Sequence, residues 1–501
     1  MVTITSFCTF TYYVFLWPLA IIPPTNLKKV FHHTLKMPSS GDQSFTMFEM
    51  PSNWLYRGEG NCNIVLSLPQ LGKILRIRKI DSPRSFIGWL LKWISDLLYW
   101  YTGGDIMEEL RDLKFYSTIM RPLVGIKYTS EASQVVLNWK QVRILEEELV
   151  RYRPERRKHK ILQCGRASLF NDFAFIPEDE YDYLPFDVAD DTFAIELKPK
   201  QGWRPLSEKH YPACVYCMNQ YYKLQQKKIK VLSNYCPEDL FSGNESRMMR
   251  AIYSLIQVPQ NNFRIFKNGT LIYGEHTATD FSNIVRSFFG NRDDMSQKLV
   301  EEFSNLVRKC LITNFMNVNL TEGCEERLFC EWNKIIQGSN AHILPKNCVL
   351  EKILSIQMLD IEGSVYYDKL LNNREVLEDW KYIDLLLNKI NNSNECFCLK
   401  CTIMMLGNVN RREEEVDLTF IPYLISAVAK DCSLMITVKR VDENISDDLE
   451  IRNIIRTNYG HFLVNIGVFD LYPKPLSSIR KHCQRNKEIF KAYVAGTTKK
   501  I

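Results

Sequence analysis

Two lysines one residue apart, Lys198 and Lys200, sit in Glu196-Leu197-Lys198-Pro199-Lys200-Gln201-Gly202, after the apolar run that starts at Phe193. On extended chain, residues i and i+2 project to the same side, and Pro199 stiffens the backbone between them. The pair is therefore expected to form a rigid two-cation fork for phosphate oxygens. Taken alone, the same residues also describe a solvated strand end. Gly58-Glu59-Gly60 offers related chemistry, because a glycine lacks the Cβ that would keep a phosphate from the backbone amides. A plain hairpin turn uses the same residues. On the strand that follows, Arg76 is the best-placed cation to face a nucleotide. The densest positive run, Arg151 to Lys160, reads as a solvated face.

These groups need elements to hold them. Trp54 to Leu66 reads as a strand, a glycine turn and a second strand, and Lys73 to Ile80 as a third, with apolar and basic residues alternating from Leu75 to Arg78. Apolar residues at helical spacing run from Phe86 to Leu113, with Trp89, Trp93 and Trp100 expected in packing. The acidic stretch Glu178 to Asp191 is expected to form a surface loop before the strand Phe193 to Leu197. Cys214 to Lys223 reads as a helix, and others are expected around Ser246 to Ile256, Ser296 to Thr313 and Val376 to Ile390. No internal repeat or long low-complexity tract is present.

The 501 residues, 46% of them apolar, suffice for two lobes or a few domains. A formal charge of +6 is too small to imply a nucleic-acid partner unless basic residues gather on one surface. Fifteen scattered cysteines form no dense disulfide framework, so a reduced, intracellular protein is expected. Residues 1–23 carry no charge and include the apolar run Tyr12 to Ile22, long enough to approach a membrane span. Lys28 and Lys29 follow that run, where a signal peptide would carry its positive charge before it. Residues 1–50 are accordingly read as an extension outside the fold, with Met37, Met47 or Met50 as the working start, and a membrane role for residues 1–23 is the less favoured reading.

Six segments occur in one order: Glu196 to Gly202, Cys214 to Gln220, Tyr235 to Asn244, Gln260 to Gly269, Asp360 to Gly363, and Ala429 to Ile436. With Tyr56-Arg57-Gly58-Glu59-Gly60 and Asp470-Leu471-Tyr472-Pro473-Lys474-Pro475, they resemble the inositol-pentakisphosphate 2-kinases from Trp54 to about Lys481. The resemblance implies an α/β (α+β), bilobal, protein-kinase-like fold, with a β-rich N-lobe at 51–160 and a larger C-lobe at 161–501. It also implies ATP and Mg²⁺ as cofactors, transfer of phosphate to the 2-hydroxyl of a soluble inositol pentakisphosphate, no required nucleic acid, and a monomer in the cytoplasm or nucleus. Asp431 matches the family's catalytic aspartate and Asp470 its metal ligand. Gly58, Gly60, Asn63, Arg76 and Glu196 fall on the nucleotide side. Lys198, Lys200, Lys223, Asn261, Asn262, Lys474 and, on a looser alignment, Arg153 fall on the inositol-phosphate side, with Lys198 also steadying the transferring group.

The match departs from the family pattern at Val215 and Asn219, where an arginine and a histidine are common, and at Ser478 and His482. Helical spacing places Val215, Asn219 and Lys223 on one face, so Val215→Arg with Asn219→His is expected to tighten substrate binding. The family's structural zinc has loosely spaced candidates in Cys324, Cys330 and His342. Outside catalysis, the same cations would suit a polyanion-binding protein for RNA or phosphoinositide.

Overall fold

The computed structural model describes residues 48–92, 107–177, 188–290, 294–315, 344–372, 378–392, 419–441 and 453–498. Alternation along Lys73–Asp81 (β3) explains the first sheet: Leu75, Ile77 and Lys79 point inward, and Arg76 and Arg78 lie on the other face. Leu55–Glu59 (β1) and Asn63–Leu68 (β2) form the expected hairpin, and β2 pairs antiparallel with β3. Ser133–Leu137 (β4), Lys160–Leu162 (β5) and Gly165–Asn171 (β6) complete a six-stranded sheet in the order β1-β2-β3-β6-β4, with β5 on β3. Its last strand ends at Asn171. Trp139–Leu149 (α2) closes the core beneath it, entered through a reciprocal Asn138–Gln141 capping box. Met107–Phe115 (α1) precedes it in the chain and packs in the other core.

Val188–Leu197 (β7), Phe263–Lys267 (β8), Thr270–Tyr273 (β9), Ser433–Val441 (β10), Ile454–Thr457 (β11) and Gly460–Phe469 (β12) make the second sheet, in the order β11-β12-β10-β7-β8-β9. Every recorded strand pair in both sheets is antiparallel, so the class is α+β. Helices sharing the larger core include Val215–Gln225 (α3), Glu245–Gln257 (α4), Phe281–Phe288 (α5), Ser296–Ile312 (α6), Val349–Gln357 (α7), Ser364–Asn372 (α8), Lys381–Asn392 (α9), Ile421–Ala429 (α10) and Ser478–Thr498 (α11). In α10, eight of the nine residues are buried, as expected for a helix apolar on every face. The larger core, separate from the first, joins these helices to the second sheet. Among the described residues, no helix is long and apolar enough to cross a membrane.

Register places the ends of three neighbouring strands together. Leu434 at the start of β10 pairs with Leu197 at the end of β7, and Ser433 pairs with Phe469 at the end of β12. The segments leaving β7 and β12 and the one entering β10 therefore share one edge of the sheet. Arg57 ties the sheets to each other, donating to Asp172 at 2.7 Å and to the Gly269 carbonyl on the β8–β9 turn.

Two sequence expectations are corrected. Trp89 is about half exposed on a short helix at 86–92 whose Phe86, Ile87 and Leu91 are exposed as well, so the apolar spacing there marks no face buried against described residues. Trp93, Trp100 and residues 178–187 of the acidic stretch lie outside the described residues. The basic run is not simply a solvated face, because Arg153 is almost buried and donates to both oxygens of Glu59 at 3.1 Å and to the carbonyls of Arg157 and Lys160. Lys79 meets the same carboxylate from inside the sheet, with its Nζ also 2.7 Å from the Gly60 carbonyl.

Two cations thus share one buried acid below the glycine turn. Burial would raise the pKa of Glu59, but hydrogen bonds from Arg153 and Lys79 outweigh it and hold the group below the ordinary carboxylate range. Burial lowers that of Lys79 despite its partner. Removing one member of such a set strands the others, so Glu59→Gln is expected to lower stability by about 3 kcal/mol. Urea unfolding with an unchanged slope would read this directly. Because the folded pKa is depressed, the Glu59 contribution is present above the unfolded value near ~4.3 and is lost as pH falls.

Candidate functional site

The shared edge of β7, β10 and β12 gathers most of the expected site residues. Beyond β7 the chain does not stay extended: Lys200 adopts a left-handed backbone with φ 62°. The two lysines are therefore not a parallel fork. Lys198 Nζ lies 4.0 Å from Glu196 Oε1, whereas Lys200 Nζ turns to Asp431 Oδ1 at 3.2 Å. Lys474 approaches the other oxygen of Asp431 at 3.0 Å. The Asp431 side chain remains 58% exposed between its two cations. Protein packed around this carboxylate acts to raise its pKa, but Lys200 and then Lys474 outweigh that effect, and the group titrates well below the usual carboxylate range.

Asp470, one residue past β12, also has a left-handed backbone, with φ 64°. Ser433 Oγ donates to its Oδ2 at 3.1 Å. Unlike Asp431, it has no cation in ion-pair range among the described residues. Two non-glycine residues with positive φ flanking one cluster is uncommon, and such backbone strain concentrates at functional sites.

From the first sheet, Arg76 reaches the same region. Its guanidinium stacks over the Tyr472 ring, 3.3 Å from the centroid. With its amide turned to suit the donors, Asn63 accepts from Arg76 at 2.6 and 3.2 Å. Added Cβ atoms at Gly58 or Gly60 would meet nothing within 4 Å, so this turn faces open space. Glu196 is buried and accepts from Arg264 across the β7–β8 pair at 3.1 Å.

The inositol-phosphate side is partly rearranged. Lys223 lies near Lys200 and Arg485. Burial first, and these two cations next, lower its pKa. Asn261 is exposed. Asn262 is buried, donates to the Tyr216 hydroxyl at 2.7 Å and accepts the Lys198 amide on its own carbonyl, so it supports the lysine segment from below. Arg153 is committed to Glu59, as described, and braces the glycine turn. Arg485 was missed, because a lone arginine in a charged helix carries no motif.

Val215 is partly buried and packs among Tyr211, Met218, Ile489, Phe490 and Tyr493, where α3 meets α11. Val215→Arg is therefore expected to destabilise by about 1–3 kcal/mol without tightening any ligand, since a cation would enter an apolar contact. Thermal melting beside a binding titration would test both halves of that expectation. His482, at the second departure, pairs through Nδ1 with the Tyr423 hydroxyl at 2.9 Å. Burial, then Lys430 and Lys474, lower its pKa to about 4.

Cys324, Cys330 and His342 lie outside the described residues. A different cysteine group is present: the sulfur atoms of Cys214, Cys217 and Cys236 all lie within 4.8 Å of one another. Cys214 caps α3, and Cys236 caps the turn of helix Pro237–Leu240. Hydrogen bonds from Cys214 and Cys217, with help from the Asp239 and Glu238 amides, hold the Cys236 thiol well below its ordinary pKa.

Asp431 and Asp470 thus stand at neighbouring strand ends, with Lys200 and Lys474 on Asp431 and Arg76 stacked over Tyr472 close by. Residues 56–488 match the family model described as inositol-pentakisphosphate 2-kinase. The chain belongs to the inositol-pentakisphosphate 2-kinase family. An inositol-pentakisphosphate 2-kinase of Danio rerio is 28% identical over 482 residues, covering 89% of this chain and 94% of that protein. One of Arabidopsis thaliana is 25% identical over 472 residues, covering 88% and 93%. One of Drosophila melanogaster is 30% identical over 304 residues, covering 44% and 49%.

Proposed function

We propose that this enzyme transfers the γ-phosphoryl group of ATP to the 2-hydroxyl of inositol 1,3,4,5,6-pentakisphosphate, giving inositol hexakisphosphate and ADP. The observation that carries the reading is the Lys200–Asp431–Lys474 cluster beside Asp470 on one sheet edge. In this reading the two sheets, each with its own core, are the lobes of a protein-kinase-like fold, and nucleotide lies between Arg76 and the strand ends. Gly58, Gly60, Asn63 and Arg76 face its phosphates, and Glu196 its ribose.

Lys198, Lys200, Lys223 and Lys474 bind the ring phosphates, with Lys198 also steadying the group in flight. Asp431 orients the 2-hydroxyl and takes its proton as the new P–O bond forms and the bond to ADP breaks. A carboxylate held so far below neutrality is a weak base, so this role needs the ring phosphates to draw Lys200 and Lys474 away from it. Asp470 suits Mg²⁺, being a hard oxygen donor without a competing cation. Bound there, Mg²⁺ would neutralise charge developing on the transferring phosphates.

Cys214, Cys217 and Cys236 would supply three of the four ligands that a structural zinc takes. Sulfurs about 3.8 Å apart are what a tetrahedral ion with ~2.3 Å bonds requires, and the Cys214 and Cys236 sulfurs are 3.9 Å apart.

Incubation with ATP, Mg²⁺ and inositol pentakisphosphate, with the product isomer assigned by phosphorus NMR, tests the reading. A new phosphate at the 2-position supports it. Tight binding of the ring without turnover would instead assign a non-catalytic polyanion binder.

A further inference from the structure

The strained turn at Lys200 and the turn that carries Asp431 belong to segments more than two hundred residues apart, and one buried side chain holds both. Gln357, the last residue of α7, is fully buried. Its Oε1 accepts the Gly202 amide at 2.8 Å, and its Nε2 donates to the Lys200 carbonyl at 2.9 Å and to the Ala429 carbonyl at 3.1 Å. Both amide hydrogens and one oxygen lone pair are thus spent on backbone. Its own carbonyl accepts the Ser426 hydroxyl at 2.6 Å, which adds a second tie to the end of α10.

Three residues on, Asp360 repeats the pattern: its carbonyl accepts the Trp203 indole at 2.9 Å, and its carboxylate holds Lys430 at 2.6 Å. A left-handed lysine persists only where its surroundings over-determine it, and Gln357 grips the backbone on both sides of Gln201. Gly202 packs so close to Phe241 that a Cβ there would stand 2.1 Å from the ring, so only glycine fits.

We propose that Gln357 is a positioning residue that fixes where Lys200 and Asp431 stand relative to each other and to the ring phosphates by tying both turns to the end of α7. It touches no substrate and acts only through those two residues. The inference rests on the kinase reading above, and wild-type turnover must be shown first. An inactive wild type would defeat that reading rather than this one.

A double-mutant cycle tests the inference. Gln357→Met keeps length and volume but removes all three hydrogen bonds. Its kcat/KM for inositol pentakisphosphate is expected to fall about tenfold or more, with KM for ATP within about twofold of wild type. In that background the penalty of Lys200→Met should shrink at least ~3-fold, because the lysine is no longer aimed, while the penalty of Arg76→Met should stay the same. A merely structural role would lower the active fraction equally in every background and leave the two penalties multiplicative. That result would overturn the proposal. Should the methionine variant fail to fold, Gln357→Glu retains the acceptor for Gly202 but cannot donate to the two carbonyls, and the same cycle applies. If neither variant folds, Gln357 belongs to the core alone, and the proposal is wrong.

Discussion

Asp431→Asn is expected to lower turnover by about 10²-fold or more, the usual scale for a lost catalytic acid or base, while the protein stays folded. The half-exposed side chain explains why stability is spared: ion pairs this open to water contribute less than about 1 kcal/mol. Asparagine keeps the shape and one acceptor for a lysine, so the substitution removes charge and basicity and little else. Kinetics should show a fall in kcat with nucleotide KM little changed, and rates near wild type in the folded variant would remove Asp431 from the mechanism. The pH dependence follows from the depressed pKa. Folded below its unfolded value near ~3.9, the group is ionised at every pH above about 5, and its contribution to stability is lost only as pH falls further. An acidic limb above pH 5 in the free enzyme's profile must then come from another group.

How much of this could be read from the chain varied with the kind of interaction. Alternation in Lys73–Asp81 and the turn at Gly58-Glu59-Gly60 predicted the first hairpins, because local period and glycine chemistry act over a few residues. The two aspartates were assigned through motif resemblance, since nothing in their immediate neighbours distinguishes a catalytic acid from a surface one. Lys198-Pro199-Lys200 was legible as cationic but not in shape. Its left-handed turn depends on Gln357, 157 residues downstream. Arg153 failed for a related reason. A cation in a charged run looks solvated until its partner, Glu59, is seen buried 94 positions earlier.

Asp470→Asn should reduce turnover by a similar ~10² or more, with a different signature. Asparagine tolerates a left-handed backbone at least as well as aspartate, and its side-chain oxygen can still accept from Ser433, so the local fold is preserved. What is lost is the negative charge that a hard divalent cation needs. The Mg²⁺ concentration for half-maximal rate should rise several-fold, and part of the lost rate should return at high Mg²⁺. Asp431→Asn should show neither effect. Identical Mg²⁺ titrations for wild type and Asp470→Asn would exclude the residue as a metal ligand.

The pairing of Asp431 with both Lys200 and Lys474 bears on which anions the enzyme admits. An unliganded site of bare lysines would collect any passing phosphate. Here an internal counter-ion occupies the two cations, and an incoming molecule must displace it. A monophosphate can replace the carboxylate at one lysine, leaving the other still paired and Asp431 still restrained. A ring carrying phosphates at the right separation can take both at once, and only then is the carboxylate released to act on a hydroxyl. In the proposed reaction, selectivity and activation become a single exchange event, and sparsely phosphorylated inositols would be turned away by incomplete exchange rather than by size.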